Sequence, residues 1–169
     1  MKAMELIQTA LQISDQGITR LVEDMRDAPL TFPTPRGGNH PLWVIGHVAY
    51  VEANIPHILS GEPNALDRWA VLFAPGMEPK ADARVYPSID ELLSAFRGAR
   101  ARNLEILETL GEAGLDQATK SPPRGLEEAF KTTGQTFLVI AMHHMSHRGQ
   151  VADARRAAGR KPMFTPRMY

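Results

Sequence analysis

His143-His144-Met145-Ser146-His147-Arg148-Gly149-Gln150 is the stretch on which the reading of this chain turns. It lies in a long segment, ending near Ala158, whose apolar residues recur at helical spacing. Three of the chain's six histidines fall within five residues here. His143 and His147 are four apart, so a helix places them on one face, one turn apart. At about 100° per residue, Thr136, Ile140, Val151 and Ala154 lie within about 60° of that direction, so this face points into a core. A lone histidine on a helix is ordinarily a hydrogen-bonded core residue. Two buried imidazoles a turn apart each need a partner, because an unpaired polar group in a core costs about 1–3 kcal/mol. One shared metal ion satisfies both. His144 lies three residues before His147, a spacing that also permits chelation. Adjacent residues diverge by about 100°, so His143 and His144 do not easily both join His147. Periodicity alone leaves that choice open.

Working outward, the chain reads as four helices and two long connections. The first helix is expected over about Lys2 to Asp27, with Ile7, Leu11, Ile18, Leu21, Val22 and Met25 at amphipathic spacing. Pro29, Pro33, Pro35 and Gly37-Gly38 end it in a loop. The second starts near Asn39 or His40, with Pro41 in its first turn, and runs towards Leu59 and a stop at Gly61. Pro56 is placed to kink or divide it. A connection from about Glu62 to Pro87 follows, containing a short helical run over 66–73; a connection of that length usually covers something or carries function. Ser88-Ile89-Asp90-Glu91 fits a capping box for the third helix, whose stripe is Ile89, Leu92, Leu93, Phe96, Leu107 and Leu110. A second loop holds Pro122, Pro123 and Gly125, and Phe130 to Phe137 leads into the fourth helix. Gly159 is placed to end it, with Arg155, Arg156 and Arg160 near the negative end of its dipole. The tail from Lys161 to Tyr169 is expected to be irregular, with Met163, Phe164 and Tyr169 available to pack. No alternating strand pattern and no repeat is visible. The fold class expected is all-α, a four-helix bundle, in one domain over residues 1–169.

Composition narrows the function. Lys+Arg and Asp+Glu are both 19, a formal net charge of zero, which argues against a nucleic-acid partner. With no cysteine, a metal here falls to histidine and carboxylate. No apolar run reaches the roughly 18 residues that span a bilayer, so no membrane partner is expected. No signal peptide is visible either, and a cytoplasmic protein is expected.

The remaining candidates are read residue by residue. His47 sits on the second helix, and three histidines from two helices would leave coordination positions open for water or substrate. Gly46 beside it is explained either by close helix packing or by room for a ligand. Glu52 could accept from a ligand's second nitrogen or act as a base, though such a position is more often exposed. His40 and His57 are read as structural, the latter on an exposed turn. Ser146 has no acid partner suggested, so a serine hydrolase is not expected. The charges from Glu5 to Glu23 read as a solvated face. Whether Glu52, Gln150 or His144 contributes to the site stays open.

Pro41-Leu42-Trp43-Val44-Ile45-Gly46-His47-Val48-Ala49 resembles the second-helix motif of DinB/YfiT-like proteins. His143-x-x-x-His147-Arg148-Gly149-Gln150 resembles their fourth-helix motif, and Trp69, Phe73, Tyr86-Pro87-Ser88 and the run 155–160 resemble one branch of that family. The resemblance extends over nearly the whole chain. It implies a four-helix bundle holding a divalent metal on His47, His143 and His147, and so favours His143 over His144. Zinc or nickel is the expected metal. It implies, further, transfer chemistry with a low-molecular-weight thiol and an electrophile, hydrolysis next, and a frequent homodimer. The competing reading is a non-enzymatic metal-binding or stress-response module in which the metal is structural. Trp69, Leu72 and Phe73 in the long connection are expected either to form the dimer interface or to fold back as a lid.

Overall fold

A computed structural model describes residues 2–31 and 38–163. Within them the secondary structure is helical, with one isolated antiparallel bridge between Ala118 and Thr132. The helices are α1 (Ala3–Glu23), α2 (Pro41–Ala53), α3 (Ile55–Ser60), α4 (Ala70–Phe73), α5 (Ile89–Gly114) and α6 (Thr133–Ala157), with 3-10 turns at Asp67–Trp69 and Ala83–Val85. The four long ones form the bundle: α1 lies along α6 and α2 along α5, with α2 also meeting α6 and α1 meeting α5.

Two boundaries differ from the sequence reading and two that it left open are defined, each for a local reason. α1 stops at Glu23, and the chain continues to Ala28 in turns that still bury Met25. The expected second helix is divided at Asn54, because Pro56 lacks the N–H that a continuous helix needs and instead occupies the first turn of α3. α5 extends beyond Leu110 through Gly111, where a φ of 62° breaks the helical geometry. α6 begins three residues after Phe130, at a capping box in which Thr132 accepts from the Gln135 N–H and Gln135 reaches back. At α5 the Ser88 hydroxyl accepts from Glu91 N at 3.2 Å. Gly159 follows α6 with a φ of 79°, as its position suggested. Pro33, Pro35, Gly37 and the tail residues Phe164 and Tyr169 lie outside the described residues.

The interior has two apolar clusters. One gathers Ile18, Val22, Trp43, Ile45, Phe73, Phe96 and Val151; the other gathers Leu11, Ile55, Leu107, Phe137 and Ile140. A polar belt falls between them along every long helix: Ser14 on α1, Glu52 on α2, Arg100 and Asn103 on α5, and His144 on α6. Arg100 donates to Glu52 Oε1 at 2.6 Å, to Leu11 O at 2.7 Å and to His144 Nδ1 at 3.0 Å. Asn103 donates to Glu52 Oε2 at 2.7 Å and to its carbonyl at 2.9 Å. Glu52 is therefore fully buried and ion-paired, contrary to the exposed position expected for it, and it is not bonded to any of the three clustered histidines. Burial pushes its carboxyl up, against the pull of Arg100 and Asn103. His144 is held in the same belt, and burial, then Arg100, keep its pKa well below the ordinary value.

The long connection folds back on its own chain. Trp69 and Phe73 are buried in the first cluster, and the Trp43 indole donates to Leu72 O at 2.9 Å. His40 caps α2, accepting from Trp43 N at 3.0 Å, while its Nε2–H donates to Lys80 O at 2.9 Å. His57 lies half-buried within α3 rather than on an exposed turn.

Candidate metal centre

His47 comes from the middle of α2, and His143 and His147 from successive turns of α6. Their ligating nitrogens all lie within 4.8 Å of one another. His143 Nε2 is 3.2 Å from His47 Nε2 and 3.0 Å from His147 Nε2. The sequence pattern that could not separate His143 from His144 is resolved by rotation about α6. His143 faces α2, whereas His144, about 100° away, faces Arg100.

Second partners fix how two of the rings present their nitrogens. His47 Nδ1–H donates to Phe73 O at 2.7 Å. His147 Nδ1–H donates to Gln150 Oε1 at 2.8 Å, and the same oxygen accepts from Asn39 Nδ2 at 3.1 Å. Both rings therefore direct an Nε2 lone pair inward. His143 Nε2 lies against both, and its buried Nδ1 has no hydrogen-bond partner among the described residues. A proton on His143 Nε2 could serve only by being shared between two acceptors, and it would leave Nδ1 an unpaired acceptor. A cation at the centre satisfies all three inward lone pairs. Zinc–imidazole bonds of about 2.0–2.1 Å in a tetrahedron set neighbouring nitrogens roughly 3.3–3.4 Å apart, close to the two separations found. The residues thus fit a divalent ion.

Charge agrees with this. Burial, ahead of neighbouring imidazoles, lowers His47 to about 4 and His143 to about 3; burial lowers His147 as well. All three are neutral near pH 7, the form that binds metal.

Gly46 has a definite reason to be glycine. A Cβ there would lie 2.2 Å from the Phe73 ring. The bare α2 backbone lets α4 dock closely enough for Phe73 O to reach His47. The neighbour it accommodates belongs to the long connection, neither a second bundle helix nor a ligand. Trp43, one turn before His47, stacks on it with ring centroids 4.6 Å apart and planes 9° from parallel.

A cavity of about 520 Å³ opens beside the histidines. His47 and His143 lie in its wall with Trp43, Tyr50 and Ile140; Pro75 and Gly76 of the long connection and Pro123, Arg124, Leu126 and Phe130 of the second loop line it from the other side. Lys120 and Ser121 N–H groups donate to Ile58 O at 3.0 Å each, tying that loop to α3. Sequence reasoning missed this wall, because loops carry no periodicity. It also missed Phe73 O, a backbone acceptor without a side-chain signature. Gln150 was left open and lies on His147; Ser146 is exposed.

No curated protein matches this chain. The family model for the DinB superfamily matches residues 10–151, a span that takes in all three histidines, both loops of the cavity wall and the polar belt. The chain belongs to the DinB superfamily.

Proposed function

We propose that the protein is a divalent-metal enzyme, with zinc or nickel held by His47, His143 and His147, and that it transfers a low-molecular-weight thiol to an electrophile, with hydrolysis as the next candidate reaction. The observation that carries this reading is the cavity of about 520 Å³ with two of the three histidines in its wall. That volume is in the range of small-molecule sites, about 300–1,000 Å³. A metal that only stapled α2 to α6 would have no use for such a cavity, so the enzymatic reading stands ahead of the structural one. Three neutral ligands would leave the full charge of a bound ion available to acidify a thiol or water. The chain's own part is to hold the imidazoles through Phe73 O and Gln150, and to line the approach with apolar side chains that exclude water. No acid or base role is assigned to Glu52, whose carboxylate is occupied by Arg100 and Asn103.

Metal analysis of purified protein tests the site: His47→Ala combined with His147→Ala should abolish binding, and undiminished metal refutes it. A screen of thiols with electrophilic acceptors tests the reaction, and absence of metal-dependent turnover refutes it. A large fall in melting temperature on chelation, with no turnover, would instead identify a structural metal.

We further infer a homodimer working in the cytoplasm. Trp69 and Phe73 are buried within their own chain, so they do not supply its interface. The exposed apolar residues Leu6 and Ile13 on α1 with Leu138, Met142 and Met145 on the adjoining α6 favour that pair of helices. Sedimentation at micromolar concentration decides: a sole species of 18.7 kDa refutes the dimer. Among the described residues, no helix is long and apolar enough to cross a membrane.

A further inference from the structure

The cavity wall has an uneven distribution of charge. Apart from the two histidines its polar side chains among the described residues are Tyr50, Asn54 and Arg124, with no carboxylate among them. Arg124 is thus the only permanently charged group among the described residues of the wall. It is exposed and makes no ion pair with any described residue. The nearest acids in sequence are engaged elsewhere: Glu127 accepts from Gly125 N at 2.9 Å, and Glu128 pairs with Lys131 at 3.6 Å. By contrast, Arg26, Arg84, Arg97, Arg100, Arg102, Arg155, Arg156 and Arg160 all have acidic partners. The backbone that carries Arg124 is constrained. Pro122 and Pro123 restrict the backbone before it, Gly125 turns after it with a φ of 81°, and the loop is tied to α3 through Ile58 O. The rest of the wall, from Val51, Ile58, Leu126, Phe130 and Val139, is apolar.

We propose that this cavity takes a small molecule with an apolar body and a carboxylate, and that Arg124 selects the carboxylate. The apolar walls bury the body, and the guanidinium fork supplies a charge-assisted, two-point contact that no other wall residue offers. An ammonium at the same end would meet a like charge with no acid to receive it. This deepens the enzymatic reading by naming its substrate class, and it rests on that reading only in taking the cavity for the substrate's. The contact with Arg124 does not require the metal.

The test uses three probes that share one apolar body: 4-phenylbutanoate, 4-phenylbutan-1-ol and 4-phenylbutylamine. Binding to the full chain is measured by calorimetry, first metal-free and then with one equivalent of zinc. Trp69→Phe leaves Trp43, which lines the cavity, as the sole tryptophan, so a change in its emission locates the ligand. In metal-free protein the carboxylate should bind about tenfold more tightly than the alcohol, and the amine least tightly. Raising the salt should narrow the gap, because the contact is at an exposed rim. Arg124→Gln should bring the carboxylate to the level of the alcohol and leave the alcohol unchanged, while Arg124→Lys should keep part of the preference. A carboxylate bound no better than the alcohol, a preference that survives Arg124→Gln, binding that leaves Trp43 unaffected, or no binding of any probe each overturns the proposal. The unaltered chain alone can refute it, through the probe series and the salt response. If zinc fails to bind, the enzymatic reading falls while the metal-free series still judges Arg124. If zinc binds and the series is flat, the substrate class falls alone.

Discussion

Gly46→Ala should damage both the fold and the metal centre through one atom. The new Cβ would stand 2.2 Å from Phe73 Cε1 and Cζ and 2.7 Å from Cδ1. Ordinary carbon contacts lie at about 3.5–4.0 Å, so the ring must withdraw by roughly 1.3 Å or more. It has no free space to enter: Phe73 is fully buried, stacked on Tyr86 at 5.5 Å and edge-on to Trp69 at 5.8 Å. Overpacking of this kind costs about 1–3 kcal/mol. Replacing a helical glycine by alanine returns about 1 kcal/mol, which leaves a net loss of about 0–2 kcal/mol. For a chain of this size that is a fall in melting temperature of up to roughly 8 °C. Displacing Phe73 also removes its carbonyl from His47 Nδ1, a bond of 2.7 Å. Loss of such a ligand-orienting partner weakens metal binding about 10–100-fold. Gly98→Ala is the control, since nothing lies within 4 Å of its Cβ position on α5; it should stabilise slightly and leave metal affinity unchanged. Thermal unfolding of the metal-free variants, with chelator competition for zinc affinity, gives both quantities. If Gly46→Ala gains stability as Gly98→Ala does, and binds zinc as the parent does, the argument from Phe73 is refuted.

Gln150→Leu keeps the bulk but removes the acceptor for His147 Nδ1, so zinc affinity measured by competition should drop about 10–100-fold; an unchanged affinity means Gln150 does not orient that ring. Glu52→Ala leaves Arg100 buried without its counter-ion and should cost about 3–5 kcal/mol in urea unfolding, whereas a loss below about 1 kcal/mol would mean the ion pair is dispensable. Acid should destabilise the metal-free protein. The folded pKa values of His47 and His143, about 4 and 3, and those of His40, His144 and His147 lie below 6.5, so the unfolded chain binds protons first. Stability is then full above about pH 6.5 and falls as pH drops towards 4, by about 1.4 kcal/mol per pH unit for each proton taken up on unfolding; a urea midpoint that stays level from pH 7.5 to 5 contradicts this.

The helices were legible in the sequence because burial imposes a period, and α6 shows it in Thr136, Ile140, Val151 and Ala154, all of them buried. Convergence of His47 with His143 and His147 was legible for the same reason, once the family resemblance had chosen between His143 and His144. The division between α2 and α3 was announced by Pro56. Glu52 was misplaced because a carboxylate at a helical position carries no sign of whether a partner waits across the bundle. Arg100 is 48 residues away and was not singled out. The cavity was beyond reach for a different reason. Its outer wall is made by Pro75, Gly76, Arg124 and Leu126, whose nearness depends on how two loops lie across the helices rather than on any spacing within them.

That outer wall separates two inheritances within one small chain. The histidines stand on long helices whose register is pinned by the polar belt, so a change there disturbs many neighbours at once. Arg124 and Leu126 stand on the second loop, which can accept substitution, insertion or replacement while the helices, and the Phe73 carbonyl that holds His47, stay in place. A lineage built on this plan can alter which molecules it admits by exchanging loops, and leave its means of acting on them untouched. Grafting residues 116–132 from one member onto another is the laboratory form of that exchange, and ligand preference should travel with the segment.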